Sequence, residues 1–113
     1  MPRVVFVNLL RNAAALVGNS SCGIVEAPFL KLPVINVGNR QKFRLHAENV
    51  LFIPFDKVHI RKAIEMVIND QELRNRLKSC SSPYGDGYAC NRIIKVLAEI
   101  SLDARLLNKD MTY

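Results

Sequence analysis

The sequence predicts an α/β fold, a partial Rossmann-like parallel sheet of about three strands with flanking helices. Short apolar segments rich in β-branched residues alternate with segments whose apolar residues recur at helical spacing, and the links between them are short. Half of the 113 residues are hydrophobic, which is enough for one core, while the length is too small for two domains. Since such sheets usually have more strands, we expect this one to be part of a larger sheet.

The first half of the chain predicts two helices around a strand. Residues 4–15 have apolar side chains at helical spacing, and the apolar segment 14–17, which ends at Gly18, suits a buried strand. Ser20 or Ser21 is a good N-cap for a helix over residues 22–31. Pro28 is expected either to kink that helix or to confine it to a short first section.

The second half predicts two further strands and three helices. Residues 33–37 are the clearest strand, and residues 49–53 form a short third one. Helices are predicted over residues 57–69, 70–79 and 88–102, with Asp70 as the cap of the second, and residues 81–87 form a loop by composition. The weakly patterned residues after 102 are expected to fray.

The net charge of +6 allows an anionic partner without naming one. The basic residues are dispersed and accompany no nucleic-acid recognition motif, so a nucleotide diphosphate is preferred to nucleic acid as the partner. No run of about 18 apolar residues is present, which argues against a membrane span. Three cysteines without a CxxC pair predict free thiols and no metal site, and no signal-like segment follows Met1, so we expect a cytoplasmic protein.

The segment from Gly18 to Glu26 is the first candidate binding site. A predicted strand leads into a glycine turn, then hydroxyls, then a helix start, whose unpaired N–H groups attract phosphate. Ser20 and Ser21 can donate to phosphate oxygens, Gly23 permits close approach, and Glu26 can accept from ribose hydroxyls. An ordinary serine-capped helix with an exposed glutamate is an equally good interpretation of the pattern alone.

The basic segment 38–44 is the second candidate. It follows a strand at its carboxyl end, where open α/β sheets bind ligands. Arg40 or Arg44 can neutralise a diphosphate through charge-assisted hydrogen bonds. A solvated basic loop is the alternative interpretation, and physical reasoning alone slightly favours it.

The segment 82–87 before the last helix is interpreted as structural. Asp86 and Gly87 suit a helix entry, and Tyr84 is expected to pack onto the body of the domain. Direct ligand contact by this loop is the less favoured alternative. His46 and His59 are isolated histidines and receive no predicted role.

Four segments together resemble the UDP-N-acetylglucosamine 2-epimerases, most closely the hydrolysing branch that feeds sialic-acid-type sugars. The resemblance covers roughly residues 6–100 and rests on the order and spacing of residues 18–28, 33–41, 48–50 and 83–87. It implies the second domain of a glycosyltransferase-B-like fold, with residues 1–103 as the carboxy-terminal nucleotide-binding portion and 104–113 as a weakly structured tail.

The resemblance also implies a ligand and a reaction. The turn matching Ser20, Ser21 and Gly23 holds the UDP phosphates, Glu26 holds the ribose, and Arg40 or Arg44 lies near the nucleotide. The family's hydrolysing reaction eliminates UDP to leave a glycal and then adds water to give N-acetylmannosamine, with no metal or nicotinamide cofactor.

The chain departs from the family pattern at single residues and in extent. Val25 stands where the family usually has arginine, and Phe43 stands where it has glycine, so we expect Phe43 to crowd the basic loop. The acids and the histidine of proton transfer have no counterpart here, so no catalytic residue is predicted. The resemblance therefore implies a partner: an amino-terminal domain, or further copies of this chain in a homo-oligomer.

Overall fold

The computed structural model describes residues 1–107, apart from the side chains of residues 78, 105 and 107. The strands are β1 (Leu16–Gly18), β2 (Val34–Val37) and β3 (Val50–Ile53). The α-helices are α1 (Arg3–Asn12), α2 (Cys22–Val25), α3 (Lys57–Asn69), α4 (Gln71–Ser79), α5 (Ala89–Glu99) and α6 (Ala104–Leu107), and a 3₁₀ helix spans Ala27–Leu30.

The three strands form one parallel sheet in the order β1-β2-β3. Leu16 is opposite Val34, and Val34 is opposite Val50, so the strands run level from their first residues. Parallel neighbours need crossover connections, which residues 19–33 and 38–49 supply. The predicted three-strand parallel sheet is confirmed.

Helices cover both faces of the sheet because successive strand residues point to opposite sides. Val34 packs on one face with Leu10 of α1 and Ile24 of α2. Ile35 packs on the other face with Val67 of α3, in a cluster that includes α4. This division into two core clusters is the doubly wound arrangement that the alternation of strands and helices predicts.

Two predicted helices are confirmed, and so is the predicted Asp70 cap of the second one. Helix α3 covers residues 57–69 as predicted, and Asp56 accepts hydrogen bonds from the backbone N–H groups of Val58 and His59. Helix α4 begins after Asp70, whose side chain accepts from the N–H of Leu73 at 2.9 Å. These ends are local features, in which a carboxylate satisfies the free N–H groups of the first turn.

The predicted helix over residues 22–31 is wrong as a continuous element. Helix α2 ends at Val25, and the 3₁₀ helix with Pro28 near its start follows Glu26. Lys31 then ends this segment in a left-handed conformation with φ of 54°. Pro28 therefore confines the α-helix to a short first section, which is one of the two expected outcomes.

Helix α5 differs from the other long helices because none of its residues is buried. It is shorter than the predicted 88–102, and its apolar side remains exposed in this chain. Exposed apolar members of that side are Ile93, Val96, Leu97 and Ile100.

Residues 104–107 form α6, and residues 108–113 of the predicted tail lie outside the described residues. Across residues 1–107, no helix is long and apolar enough to cross a membrane.

Candidate functional site

The two predicted binding segments leave the sheet at the same edge. We call residues 18–23 the serine turn and residues 38–44 the arginine loop. Gly18 ends β1 and pairs with Asn36 of β2, and Val37 ends β2 one residue further along. Because β1 and β2 are adjacent and parallel, both segments start at the carboxyl edge, where α/β sheets bind ligands.

Gln41 joins the two segments directly. Its side chain is only 3% exposed, and its Nε2 donates to the carbonyl oxygen of Asn19 at 3.0 Å. Its Oε1 accepts a hydrogen bond from Arg44 Nη1 at 3.3 Å. A buried amide with both ends bonded holds its partners strongly, since breaking either bond leaves a polar group unsatisfied. The serine turn and the arginine loop therefore form one polar surface.

The start of the arginine loop is held by backbone and side-chain hydrogen bonds. Asn36 is 1% exposed, and its Nδ2 donates to the carbonyl oxygen of Gly38 at 3.1 Å. The N–H of Gly38 donates to the carbonyl oxygen of Ile53 at 2.8 Å. Gly38 has φ of 80°, in the left-handed region that favours glycine. The loop thus leaves the sheet in a defined direction.

The serine hydroxyls face solvent rather than capping α2. Ser21 occupies the N-cap position with helical backbone angles and no side-chain capping bond, so the predicted cap is wrong for Ser21. Ser20 Oγ accepts from the N–H of Cys22 at a long 3.4 Å. Both side chains are exposed. Their hydroxyls remain available to a ligand, while the one-turn α2 supplies little dipole of its own.

Gly23 is required by packing. It is buried in α2, and a Cβ added there would lie 2.7 Å from Cγ1 of Val34. Its N–H donates to the carbonyl oxygen of Ser20 at 3.2 Å. The absence of a side chain therefore lets α2 pack against β2, which brings the serine turn close to the sheet edge.

The cationic side chains of the arginine loop are exposed. Arg40 has no hydrogen bond or ion pair with the described side chains, whereas Arg44 bonds Gln41. Phe43 is 95% exposed, so it points into solvent and the expected crowding of the loop is wrong. Arg40 and Arg44 therefore lie where an anion at the sheet edge can reach them.

Glu26 lies at the other end of α2 and contacts α1. Its Oε1 pairs with Arg3 Nη1 at 3.0 Å, and its side chain is 32% exposed. The two residues line a mostly apolar cavity of about 410 Å³ between α1 and the 3₁₀ segment. Its second carboxylate oxygen has no partner among the described residues. Glu26 can therefore accept a further hydrogen bond.

The segment 81–87, here called the tyrosine loop, contacts the end of the arginine loop. Tyr84 Oη donates to the carbonyl oxygen of Leu45 at 2.7 Å, which matches the predicted packing of Tyr84 onto the body. Asp86 accepts from the N–H of Tyr88 at 3.0 Å and pairs with Arg92 Nη2 at 2.7 Å. The hydrogen bond from the Tyr88 N–H is the larger cause that holds the pKa of Asp86 below its ordinary value, and the charge of Arg92 is a smaller one.

Cys22 lies in the serine turn, whereas the two histidines and the other two cysteines lie outside both loops. His59 contacts the Asp56 carboxylate at the start of α3, and His46 packs edge-on against Phe52. The thiols of Cys22, Cys80 and Cys90 are free. Within residues 1–107, no group of three or more His, Cys, Asp or Glu residues is arranged to hold a metal ion.

The sequence patterns missed Gln41, Asn36 and Arg3 as determinants of the site. In the sequence, Gln41 is only one member of the basic segment, and its partner lies 22 residues earlier in the chain. Arg3 lies 23 residues before Glu26. No local spacing reveals such pairs, because they depend on which strands become neighbours.

A parallel sheet with helices on both faces, and with its candidate ligand-binding loops at the carboxyl ends of the strands, is typical of Rossmann-like proteins. The comparisons with known proteins agree with this class and narrow it. The sequence profile of the family described as UDP-N-acetylglucosamine 2-epimerase matches residues 1–98. The chain belongs to that family.

Curated relatives have sequences similar to nearly the whole chain. A UDP-N,N'-diacetylbacillosamine 2-epimerase (hydrolyzing) from Legionella pneumophila is 33% identical over 96% of this chain and 27% of its own length. The polysialic acid biosynthesis protein P7 of Escherichia coli is 31% identical over 93% of this chain and 26% of its own. The chain thus spans about a quarter of the length of these relatives.

A solved structure confirms the fold. The crystal structure assigned to a UDP-N-acetylglucosamine 2-epimerase from Listeria monocytogenes superimposes with a TM-score of 0.75. The match has 24% sequence identity and covers 87% of this chain and 27% of that one. The sheet and its helices therefore form part of a glycosyltransferase-B-like fold, as the resemblance implies.

Proposed function

We propose that this chain is the UDP-binding part of a hydrolysing UDP-N-acetylglucosamine 2-epimerase. The observation that carries the proposal is the Gln41–Asn19 hydrogen bond of 3.0 Å, which joins the serine turn to the arginine loop. Hydroxyl donors and guanidinium groups then share one edge of the sheet, which suits a diphosphate. Membership of the family supports uridine as the nucleoside.

The proposed contacts divide the nucleotide between the two segments. Ser20 and Ser21 donate to phosphate oxygens from exposed hydroxyls, and Gly23 lets the backbone approach the ligand. A guanidinium from Arg40 or Arg44 neutralises the diphosphate. Of the two guanidinium groups, that of Arg40 has no internal partner in residues 1–107, whereas that of Arg44 bonds Gln41.

Glu26 is proposed to bind the ribose. Its carboxylate is held by Arg3 through one oxygen, which leaves the other oxygen to accept from a ribose hydroxyl. The adjacent cavity of about 410 Å³ supplies the apolar surroundings in which such a hydrogen bond is strengthened. In the proposed arrangement the nucleoside lies beside α1 and the phosphates lie at the serine turn.

The proposed reaction converts UDP-N-acetylglucosamine to N-acetylmannosamine and UDP. Elimination removes the C2 proton and breaks the bond from C1 to the UDP oxygen, and addition of water to the resulting glycal gives the epimeric sugar. Both steps need a positioned base and acid. No carboxylate–histidine pair lies at the serine turn in the described residues, so we propose that the chain alone is inactive.

We propose that the acid and the base come from an amino-terminal domain or from another copy of this chain. The exposed apolar side of α5 and the unpaired edges of the small sheet favour association with such a partner.

We also propose a cytoplasmic location, where a reducing environment keeps the three thiols free.

A non-catalytic UDP or UDP-sugar binding module is the second candidate. The observation that favours it is the same lack of an acid–base pair beside the exposed serines. The two candidates differ when an amino-terminal part of a related epimerase is supplied in trans. Release of UDP from UDP-N-acetylglucosamine by the mixture, and none by either part alone, supports the split-site epimerase.

Calorimetric titration of the 113-residue chain with UDP tests the proposal. We expect saturable binding, weakened about tenfold or more by Ser21→Ala, because a hydrogen bond to a charged group contributes about 1.5–3 kcal/mol. Ser101→Ala, which removes an exposed hydroxyl that lies after α5 and outside the three loops, is the matched control. Absence of binding at millimolar UDP would contradict the proposal.

The ribose contact is tested by comparing UDP with 2',3'-dideoxy-UDP. The unaltered chain should prefer UDP, and Glu26→Ala should remove that preference because the acceptor of the ribose hydroxyls is lost. Glu99→Ala, an exposed glutamate of α5, should leave it unchanged. An undiminished preference in Glu26→Ala would assign ribose recognition to other groups.

A further inference from the structure

The arginine loop is tied to other parts of the chain at its middle and just past its end. At its middle, the Gln41 side chain donates to the carbonyl oxygen of Asn19 at 3.0 Å. Just past its end, Tyr84 Oη donates to the carbonyl oxygen of Leu45 at 2.7 Å, across 39 residues of sequence. Leu45 directly follows Arg44, so the phenol restrains the backbone beside a proposed phosphate-binding side chain.

The tyrosine loop is itself anchored on both sides of Tyr84. The N–H of Tyr84 donates to Ser82 Oγ at 3.2 Å. Asp86 bonds the N–H of Tyr88 and pairs with Arg92 of α5. The phenol is therefore presented from a bonded turn, which makes it a better restraint than a side chain on an unanchored segment.

We propose that Tyr84 is a positioning residue of the nucleotide site, which holds the arginine loop so that Arg44 faces the diphosphate. The proposal rests on the proposed function, since it assigns Tyr84 to the same site. Tyr84 acts through the Leu45 carbonyl and makes no contact with the ligand itself. Fixing the loop before binding reduces the ordering entropy that diphosphate binding would otherwise cost.

The test compares UDP affinity of Tyr84→Phe with that of the unaltered 113-residue chain. Losing one hydrogen bond that orders the loop should raise the UDP Kd about three- to tenfold. Tyr88→Phe is the matched control, because the Tyr88 hydroxyl is exposed and has no partner among the described residues. Its UDP Kd should stay within about twofold of the unaltered value.

A double-mutant cycle with Arg44→Ala separates positioning from general stability. If Tyr84 acts through Arg44, Tyr84→Phe should change the UDP Kd of the Arg44→Ala chain by less than about twofold, as followed by NMR titration up to millimolar UDP. An equal loss in both backgrounds would overturn the proposal. Equal UDP binding by Tyr84→Phe and the unaltered chain would overturn it while leaving the proposed function intact. No UDP binding by the unaltered chain would overturn both.

Discussion

At the scale of single residues, the candidate site depends on side chains that hold the backbone more than on those that face the ligand. Gln41 is nearly inaccessible to solvent although it lies in a basic loop, and Asn36 is buried within β2. Each uses an amide to bond a loop carbonyl. The exposed hydroxyls and guanidinium groups acquire a defined position because these amides fix the loops behind them.

Gln41→Ala is expected to lower the free energy of unfolding by about 1–3 kcal/mol, because the carbonyl of Asn19 loses its buried partner. The UDP affinity should fall in the same variant, since the two loops are no longer joined. Urea unfolding and UDP titration measure the two effects. Lys42→Ala, an exposed neighbour, should change the stability little, and an equal loss of stability in both variants would contradict this role of Gln41.

At the scale of secondary structure elements, local chemistry could be predicted and long-range contacts could not. The bounds of α3 were predicted because Ile60, Ala63, Ile64 and Val67 form one apolar side, and the Asp70 cap of α4 is visible in the sequence. The serine turn and the arginine loop were predicted as separate candidates. Their connection through Gln41 depends on β1 and β2 becoming neighbours, which no local pattern encodes.

The segment after the serine turn shows where local patterns mislead. Apolar residues over positions 22–31 suggest one helix, yet the backbone changes to a 3₁₀ helix around Pro28. The missing α-helical turns reduce the dipole available at the serine turn. Anion binding there must therefore depend on the serine hydroxyls and on the side chains of the arginine loop rather than on the N-terminus of α2.

The cap of α3 provides a pH-dependent prediction at this scale. The contact with the His59 side chain is the largest cause that lowers the pKa of Asp56, and the hydrogen bond from the N–H of Val58 is the next. A carboxyl whose pKa is lowered by folding stabilises the fold above the ordinary aspartate pKa of about 3.9, and this contribution is lost as pH falls through the lowered value. The urea midpoint of the unaltered chain should therefore exceed that of Asp56→Asn at neutral pH, and the difference should shrink below about pH 4.

Asp56→Asn retains an acceptor for the N-cap, so the comparison isolates the charge from the capping hydrogen bond. Asp56→Ala should lose both and should have a lower midpoint than Asp56→Asn at every pH where the chain is folded. A difference between the unaltered chain and Asp56→Asn that does not change with pH would show that the Asp56 charge does not contribute.

At the scale of the whole molecule, the chain corresponds to about a quarter of the length of its relatives. Its three strands nevertheless have a hydrophobic core on each face of the sheet. Helix α5 stands apart because its apolar side is uncovered. The family is shown by the comparisons, whereas nucleotide binding by this chain is inferred from the geometry of two loops at one sheet edge.

Amide chemical-shift mapping of the ¹⁵N-labelled chain during UDP titration shows whether these two loops bind the nucleotide. We predict saturable shifts concentrated in residues 19–26 and 38–44, with the amides of α4 unchanged because that helix packs on a face of the sheet away from these loops. The absence of shifts at millimolar UDP, or shifts concentrated in α4 or α5 instead, would contradict it.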